Sequence, residues 1–341
     1  MRHVTRTVAL STAALLAVGL VACSSDTPDG EAQASGDWTP ITIEHALGTT
    51  TIESQPERVA TVAWANHEVP LALGVVPVGM AAANFGDDND DGVLPWVEEK
   101  LEELDAETPV LFDETDGIDF EAVADTAPDV ILAGYSGLTQ EEYDTLSEIA
   151  PVVAYPETPW GTAWREMIEF NSKGLGLEEE GQELIGELET EIEATAAEYP
   201  QIEGQATMFL THVDTTDLSE VSFYTAHDTR SMFFEDLGMT TPGSIADATA
   251  ETDQFALTRT AEQADVFDDV DIIVTYGGED LVEALEGDEL LSQMPAVENG
   301  AVVNLPGDNP LGTAANPTPL SISWVLDDYL SLLAEAADGA Q

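Results

Sequence analysis

Short apolar runs alternate with stretches of helical patterning along most of the chain. In the first half, the apolar segments predict strands at 41–43, 51–52, 59–63, 76–80, 130–133 and 152–155. Helical spacing between them predicts helices at 68–73, 121–124 and 138–149. Short apolar runs that alternate with helices are typical of a parallel, doubly wound sheet.

The pattern changes after Pro159. From about 163 to 198 the chain is rich in Glu, Leu, Ile and Ala and contains no proline, which predicts a long helix. The run Lys173-Gly-Leu-Gly176 interrupts this segment and predicts a bend. The alternation then restarts, with strands expected at 206–211, 221–224, 271–275 and 301–305 and helices at 231–237, after Thr260 and at 320–336.

These patterns predict an α/β fold with two doubly wound lobes joined by a single long helix. The first lobe is expected over 38–160, the linker helix over 161–199, and the second lobe with its terminal helix over 200–341. The length of 341 residues suits this division, because single hydrophobic cores stop growing near about 250–300 residues.

Candidate ligand contacts follow from the predicted sheets, because ligands of open parallel sheets bind beyond the carboxyl ends of the strands. The turns there carry Trp64, His67, Phe85, Tyr135, Ser136, Trp160 and Trp164 in the first lobe and hinge, and His212, Tyr224, Arg230, Arg259 and Tyr276 in the second lobe. With Trp96, four of the six tryptophans fall in or near such loops. Each ring alone fits a core position as well, but their concentration favours a cleft that stacks on its ligand.

The charge balance is strongly acidic, with 68 Asp and Glu against 8 Lys and Arg and a net charge of −60. This balance excludes nucleic acid as a natural partner, since phosphate binding needs clustered cations, and it favours a soluble monomer. Arg230 and Arg259 are the two cations near predicted strand ends of the second lobe. They indicate carboxylate or oxygen-rich ligand groups, while neutralisation of nearby acids explains them equally well.

The first residues form a secretory leader. Residues 1–22 combine a basic start with an apolar run, and Leu20-Val-Ala-Cys23 ends it. Cys23 is the only cysteine, so it cannot form an internal disulfide, and its position resembles the lipidation site of bacterial lipoproteins. Two acyl chains there would anchor the protein to the outer face of the cytoplasmic membrane. Residues 23–37 read as a flexible tether rich in Ser, Asp and Gly.

One acidic loop fits the calcium-loop pattern D-x-[DN]-x-[DN]-G-x5-E. Its ligand positions fall on Asp87, Asn89, Asp91, Val93 and Glu98, with Gly92 at the sixth place. The pattern predicts bound Ca²⁺, although an acidic turn in an acidic protein explains it too, and no helix clearly precedes the loop.

Enzyme motifs are incomplete. Ser136 follows a strand within Gly134-Tyr-Ser-Gly-Leu138, but a nucleophile elbow needs glycine at position 138. His212-Val-Asp214 has no metalloenzyme spacing around it. We therefore expect a protein that is not an enzyme, with a secreted hydrolase as the rival class.

Several segments together resemble the substrate-binding lipoproteins of iron-siderophore ABC importers. They are Pro56-Glu-Arg-Val59, Leu71-Ala-Leu-Gly-Val-Val-Pro-Val-Gly79, Pro128-Asp-Val-Ile-Leu-Ala-Gly-Tyr-Ser-Gly-Leu-Thr139, Ile149-Ala-Pro-Val-Val-Ala154, Phe234-Glu-Asp-Leu-Gly238 and Pro295-Ala-Val-Glu-Asn-Gly300. The resemblance covers essentially the whole chain after the tether.

The resemblance implies a class III substrate-binding protein that binds a ferric siderophore between its lobes and delivers it to an ABC permease. No cofactor is implied, because the chelate itself satisfies the iron. Sites of this family use Trp, Tyr and Arg, which suits Trp64, Trp164, Tyr135, Tyr224, Arg230 and Arg259. Haem or a cobalamin-type chelate stays open as an alternative cargo, with His67, His212 and Tyr224 as axial candidates. The charge favours neutral or cationic hydroxamate complexes over catecholates, while the arginines favour the opposite.

Overall fold

The computed structural model describes residues 38–307 and 309–339. The leader at 1–22, the tether at 23–37 and the lipidation site Cys23 lie outside these residues, so they stay predictions. The described chain opens with a hairpin in which β1 (Ile41–His45) pairs antiparallel with β2 (Gly48–Ile52).

The first lobe is a five-stranded parallel sheet with helices between its strands. Its strands are β3 (Val59–Thr61), β4 (Gly79–Ala81), β5 (Val110–Phe112), β6 (Val130–Leu132) and β7 (Val152–Val153). Its helices are α1 (Glu68–Ala72), α2 (Pro95–Glu103), α3 (Phe120–Asp125) and α4 (Gln140–Ser147). The strand order is β5-β4-β3-β6-β7, and the winding reverses between β3 and β6. The turns after β3 and β6 therefore flank the crevice where such sheets bind ligands.

The linker segment is a pair of antiparallel helices, α5 (Trp164–Leu175) and α6 (Glu178–Ala196). The expected bend is a complete reversal at Gly176, which adopts φ +72° and caps α5. Arg165 in α5 bonds Glu189 in α6 at 2.7 Å, which fixes the antiparallel pairing. The single helix that leads into the second lobe is thus α6, about 28 Å long at 1.5 Å per residue.

The second lobe has a mixed five-stranded sheet. Its strands are β8 (Thr207–His212), β9 (Glu220–Tyr224), β10 (Ala256–Thr260), β11 (Ile272–Tyr276) and β12 (Val302–Leu305). Its α-helices are α7 (Thr229–Asp236), α8 (Gly243–Thr249), α9 (Leu281–Gly287), α10 (Pro295–Glu298), α11 (Pro310–Ala314) and α12 (Ser321–Gly339). Short 3-10 turns cover Pro200–Ile202, Ala261–Phe267 and Leu291–Gln293.

This lobe departs from the predicted parallel sheet. Strands β8, β11 and β12 are parallel, but β9 runs antiparallel to both β8 and β10. Only seven residues, 213–219, join β8 to β9, too few for the crossover that parallel neighbours require. The helix expected after Thr260 is the 3-10 turn Ala261–Phe267.

The two lobes share one apolar core at their base. Trp96 of α2 packs against Trp324 of α12, with ring centroids 5.3 Å apart. Trp96 also donates its indole N–H to the buried carboxyl of Glu68 at 2.7 Å, and the Leu320 N–H donates to the same carboxyl at 2.9 Å. These contacts confirm a two-lobed α/β fold of the predicted class. In the described residues, no helix has the length and apolarity to cross a membrane.

Candidate ligand-binding cleft

A cavity of about 320 Å³ lies between the carboxyl ends of the two sheets. Its walls come from both lobes: Trp64, Asn84, Phe85, Tyr135, Trp160, His212, Tyr224, Arg230, Phe255, Tyr276, Thr313 and Asn316. The lining is mostly aromatic, with a few polar groups that converge on the same space. Such a composition is typical of small-molecule sites.

Trp64 and Tyr135 stand on the two turns at the switch point of the first sheet. The buried Asn66 side chain ties these turns together, since it accepts a bond from the Tyr135 N–H at 2.9 Å and donates to the Tyr135 carbonyl at 2.8 Å. Ala63 and Ala65, on either side of Trp64, both have φ +60°. This left-handed backbone is costly for alanine, so the turn is held by its surroundings.

Trp160 closes the first-lobe wall. Its backbone N–H donates to the Ser136 carbonyl at 2.9 Å, and its ring packs edge to face on the Tyr135 ring, with centroids 5.4 Å apart. A Cβ on Gly137 would lie 2.1 Å from the Trp160 indole nitrogen. Glycine at 137 is therefore what lets the indole lie against the turn after β6.

The second-lobe wall is a stack of rings at the ends of β8 and β11. His212 stacks on Tyr276 with centroids 4.9 Å apart, and Phe85 from the first lobe meets His212 edge to face at 5.7 Å. Partial burial and the nearby Arg230 lower the pKa of His212 below its usual value. The imidazole is therefore neutral near pH 7.

Arg230 is the cation of the cavity. Its guanidinium donates to the buried Asp228 carboxylate through Nε and Nη2, both at 2.8 Å, and lies 4.0 Å from the centroid of the Tyr224 ring. Burial opposes the positive charge, but the Asp228 carboxylate raises the pKa of Arg230 above its usual value. Because Asp228 occupies one edge only, the rest of the guanidinium is left for a ligand.

Hydroxyl and amide groups complete the polar lining. Burial raises the pKa of Tyr135 to about 12 and also raises those of Tyr224 and Tyr276, so these phenols stay protonated and can donate hydrogen bonds. Within the described residues, Thr313 Oγ1 and Asn316 Oδ1 are buried without a hydrogen-bond partner. A buried polar atom without a partner is costly, and a bound ligand would relieve that cost.

A second hollow of about 290 Å³ adjoins the first and shares Trp64, Asn84 and Trp160 with it. The remaining residues that line it are Ala63, Ala81, Ala82, Glu114, Gly117, Ile118, Gly137, Leu138 and Glu142. The Glu114 carboxylate accepts the Ala63 N–H at 2.9 Å. Burial, opposed by this bond and assisted by the nearby Glu142, raises the pKa of Glu114 to about 7.

Four sequence-predicted contacts lie elsewhere, while the other eight line the cavity. His67 and Ser136 are buried: burial lowers the pKa of His67 to about 4, and Ser136 donates its hydroxyl to the Ala133 carbonyl at 2.8 Å. Trp164 is buried and donates its indole N–H to Asp236 at 2.9 Å. Arg259 lies on the β10 edge of the sheet, beside a separate hollow. The structure thus places these four side chains outside the cavity, each in another environment.

Of the two arginines near predicted strand ends, Arg230 lines the cavity and Arg259 lines the separate hollow. Trp96, counted among the loop tryptophans, is also a core residue, bonded to Glu68.

The calcium loop at Asp87, Asn89, Asp91, Val93 and Glu98 stays a prediction. Across 38–307 and 309–339, no three His, Cys, Asp or Glu side chains are grouped to hold a metal ion. The Asp87 carboxylate accepts the Gly92 N–H at 2.7 Å, and Asp91 accepts the Val93 N–H at 2.9 Å. These hydrogen bonds fold the loop into a turn.

Several lining residues escaped the sequence reasoning. Thr313 lies in the short helix α11 and Asn316 just after it, and Phe255 precedes β10, a strand that was not predicted. A usable signal existed for α11: Asn309 followed by Pro310 is a helix start, and the Asn309 side chain does accept the Gly312 N–H at 3.1 Å.

Two α/β lobes with an aromatic cleft between their strand ends define a solute-binding protein. The chain belongs to the periplasmic binding protein family, whose pattern matches residues 59–309. It is similar to the crystal structure of PiaA from Streptococcus pneumoniae TIGR4 in complex with ferrichrome. The two are 46% identical with a TM-score of 0.85, over 88% of this chain and 100% of that chain.

Two curated relatives are more distant. The ferric enterobactin-binding periplasmic protein FepB of Escherichia coli is 26% identical over 300 residues, 80% of this chain and 85% of FepB. The probable siderophore-binding lipoprotein YfiY of Bacillus subtilis is 27% identical over 174 residues, 51% of this chain and only half of the length of YfiY. These matches confirm the resemblance to iron-siderophore substrate-binding proteins.

Proposed function

We propose that this chain is an extracytoplasmic receptor that binds a ferric siderophore in the cleft and delivers it to an ABC import permease. One arrangement supports this function above all: Arg230 and the protonated phenols of Tyr224 and Tyr276 face two indoles, Trp64 and Trp160, across one cavity. The Tyr135 phenol lies on the same wall as the indoles. Charged and hydroxyl donors suit the oxygens of an iron chelate, and indoles suit its apolar arms. The chelate fills the coordination sphere of the iron, so the protein needs no resident cofactor.

The eight cavity-lining residues from the sequence prediction, Trp64, Phe85, Tyr135, Trp160, His212, Tyr224, Arg230 and Tyr276, are the proposed contacts. A neutral or cationic ferric hydroxamate is the favoured cargo, because a net charge of −60 repels trianionic catecholates at long range. The PiaA complex with ferrichrome supports this choice, whereas the name of FepB supports a catecholate.

The remaining parts of the proposal concern location and partners. A lipid anchor at Cys23 would hold the receptor at the outer face of the cytoplasmic membrane, within reach of the permease. The high negative charge favours a monomer that transports its cargo without chemical turnover. The lipoprotein name of YfiY supports the anchor.

Saturable quenching of tryptophan fluorescence tests the proposal. Ferrichrome, ferric enterobactin and haemin are titrated into the parent and into Arg230→Lys, with Arg259→Lys as the control cation outside the cleft. We expect ferrichrome to quench with the lowest Kd. Arg230→Lys should weaken that Kd about 10-fold or more, since a planar fork is lost while the charge stays. Arg259→Lys should leave it unchanged.

The alternative cargoes are decided in the same titrations. Tight binding of haemin alone would assign the cleft to haem. Absence of saturable quenching by all three chelates would contradict the proposed function.

A further inference from the structure

The cleft continues past its aromatic wall into an acidic compartment. Trp64, Asn84 and Trp160 border both hollows, so the second hollow opens directly beside the cavity that holds Arg230. Among the twelve residues that line it, two are acidic and none is basic. The cleft therefore has the Arg230–Asp228 ion pair on one side and two carboxyl groups without a basic partner among the lining residues on the other.

Both carboxyl groups are held in place by the backbone of the first lobe. Glu114 accepts the Ala63 N–H through Oε2 at 2.9 Å and Oε1 at 3.3 Å. Glu142 accepts the N–H and the hydroxyl of Thr139, both at 2.8 Å, in the capping box of α4. Fixed carboxyl groups of this kind form a preorganised acceptor site.

Apart from Asn84 and the two carboxyl groups, the hollow is lined by apolar side chains and glycine, as Ala81, Ala82, Ile118 and Leu138 illustrate. These walls suit an aliphatic arm. An anionic arm would be repelled, and a purely apolar one would strip water from the carboxyl groups without replacing its hydrogen bonds. An aliphatic arm that ends in an ammonium group satisfies both the walls and the charges.

We propose that this hollow is a subsite for a cationic, ammonium-bearing arm of the chelate, with Glu114 and Glu142 as its acceptors. The subsite rests on the proposed function, because the arm belongs to a chelate whose oxygens are held at Arg230. Burial raises the pKa of Glu114 to about 7, and an entering ammonium would favour its ionised form.

A matched pair of chelates tests the subsite. Ferrioxamine B is a linear ferric trihydroxamate with a free terminal ammonium, and N-acetylferrioxamine B is the same chelate with that charge removed. Both are titrated at pH 8, where the Glu114 carboxyl is ionised. An ionic strength of about 1 M reduces the screening length to about 3 Å and suppresses the general field of the acidic protein.

We expect the parent to bind ferrioxamine B about 5- to 10-fold more tightly than its acetylated form. Glu114→Gln and Glu142→Gln should each lose most of this preference while binding the acetylated form within about 2-fold of the parent. Glutamine keeps the acceptor oxygen for Ala63 and preserves the capping box at position 142. Glu141→Gln, an exposed neighbour on α4, is the control and should keep the full preference.

The outcomes separate the two proposals. Equal affinity of the parent for both chelates overturns the subsite and leaves the receptor function standing. Persistence of the preference in the Glu114→Gln, Glu142→Gln double variant places the ammonium elsewhere and also overturns the subsite. Failure of both chelates and of ferrichrome to bind overturns the receptor function, and the subsite with it.

Discussion

Single residues around the cleft are held in states that they would not adopt alone. Ala63, Ala65 and Trp160 have φ of 60°, 60° and 59°. Each such conformation costs about 1–3 kcal/mol and persists only where neighbours fix it. Ala63 and Ala65 flank Trp64, and Trp160 is itself the second indole of the ligand wall. The strained backbone therefore holds both rings in position before a ligand binds.

Glu114 carries a testable pH signature. Its pKa of about 7 in the folded chain exceeds the usual value of 4.5. Between these pH values the folded chain binds more protons than the unfolded chain, so this group reduces stability as the pH rises through that window. The free energy of unfolding of the parent, relative to Glu114→Gln, should therefore fall between pH 4.5 and pH 8.

Urea unfolding of both proteins at the two pH values measures this difference. A difference that is the same at pH 4.5 and pH 8 would contradict a raised pKa at Glu114. Glu114→Gln is the baseline for the parent, because the many other acidic residues titrate in both proteins.

The residue scale also shows what the sequence could predict. Trp64, Tyr135, His212 and Tyr276 were identifiable, since each ends or follows a strand whose apolar run is evident. Glu114 was missed because β5, the strand that ends two residues before it, was not predicted. Glu114 is partly buried because the turn after β3 packs against it, and this contact exists only in the tertiary structure.

At the scale of elements, Asn66 connects three parts of the first lobe. It links the turn after β3 to the turn after β6 through Tyr135, and its Oδ1 accepts the Asn171 side-chain amide of α5 at 3.0 Å. Asn171 in turn accepts the Gly134 N–H at 3.3 Å. The switch point is thus a buried polar network with its members satisfied, which fixes one geometry for the ligand wall.

Asn66→Ala should therefore cost about 2–4 kcal/mol of stability, because it leaves several buried backbone groups without partners. Ferrichrome affinity should fall as well, since Trp64 and Tyr135 lose their common support. Chemical unfolding and fluorescence titration measure the two effects. Asn299→Ala, at an exposed position, is the control and should stay within about 0.5 kcal/mol of the parent. An equally small loss for Asn66→Ala would mean that the network does not hold the turns.

Some helices and strands could not be predicted from the sequence pattern. Four of the five strands of the first sheet followed from their apolar runs, whereas β5 was not predicted. In the sequence, the reversal at Gly176 looks the same as a bend, because one left-handed glycine ends a helix without fixing the direction of the chain that follows. Strand β10 has half-exposed and exposed positions, so it lacked the apolar run on which its prediction would depend. The contact Thr313 lies within α11 and Asn316 just after it, beyond the turn that directly follows β12.

At the scale of the whole molecule, the lobes are joined by more than α6. The buried Glu68 carboxyl links α1 and α2 of the first lobe to the start of α12 in the second, through Leu320 and Trp96. Trp164 and Arg165 of α5 bond Asp236 of α7, at 2.9 Å in each case. With a common core beneath the cleft, large hinge motion would disrupt buried apolar and polar contacts, so ligand binding should proceed with little change in lobe orientation.

The most direct test of the receptor function is the position of iron in crystals grown with ferrichrome. X-ray data collected on either side of the iron absorption edge locate the metal independently of the protein phases. We expect one strong anomalous peak inside the interlobe cavity, between the indoles of Trp64 and Trp160 and the guanidinium of Arg230. Iron bound only outside this cavity, with the cleft free of chelate, would contradict the assignment.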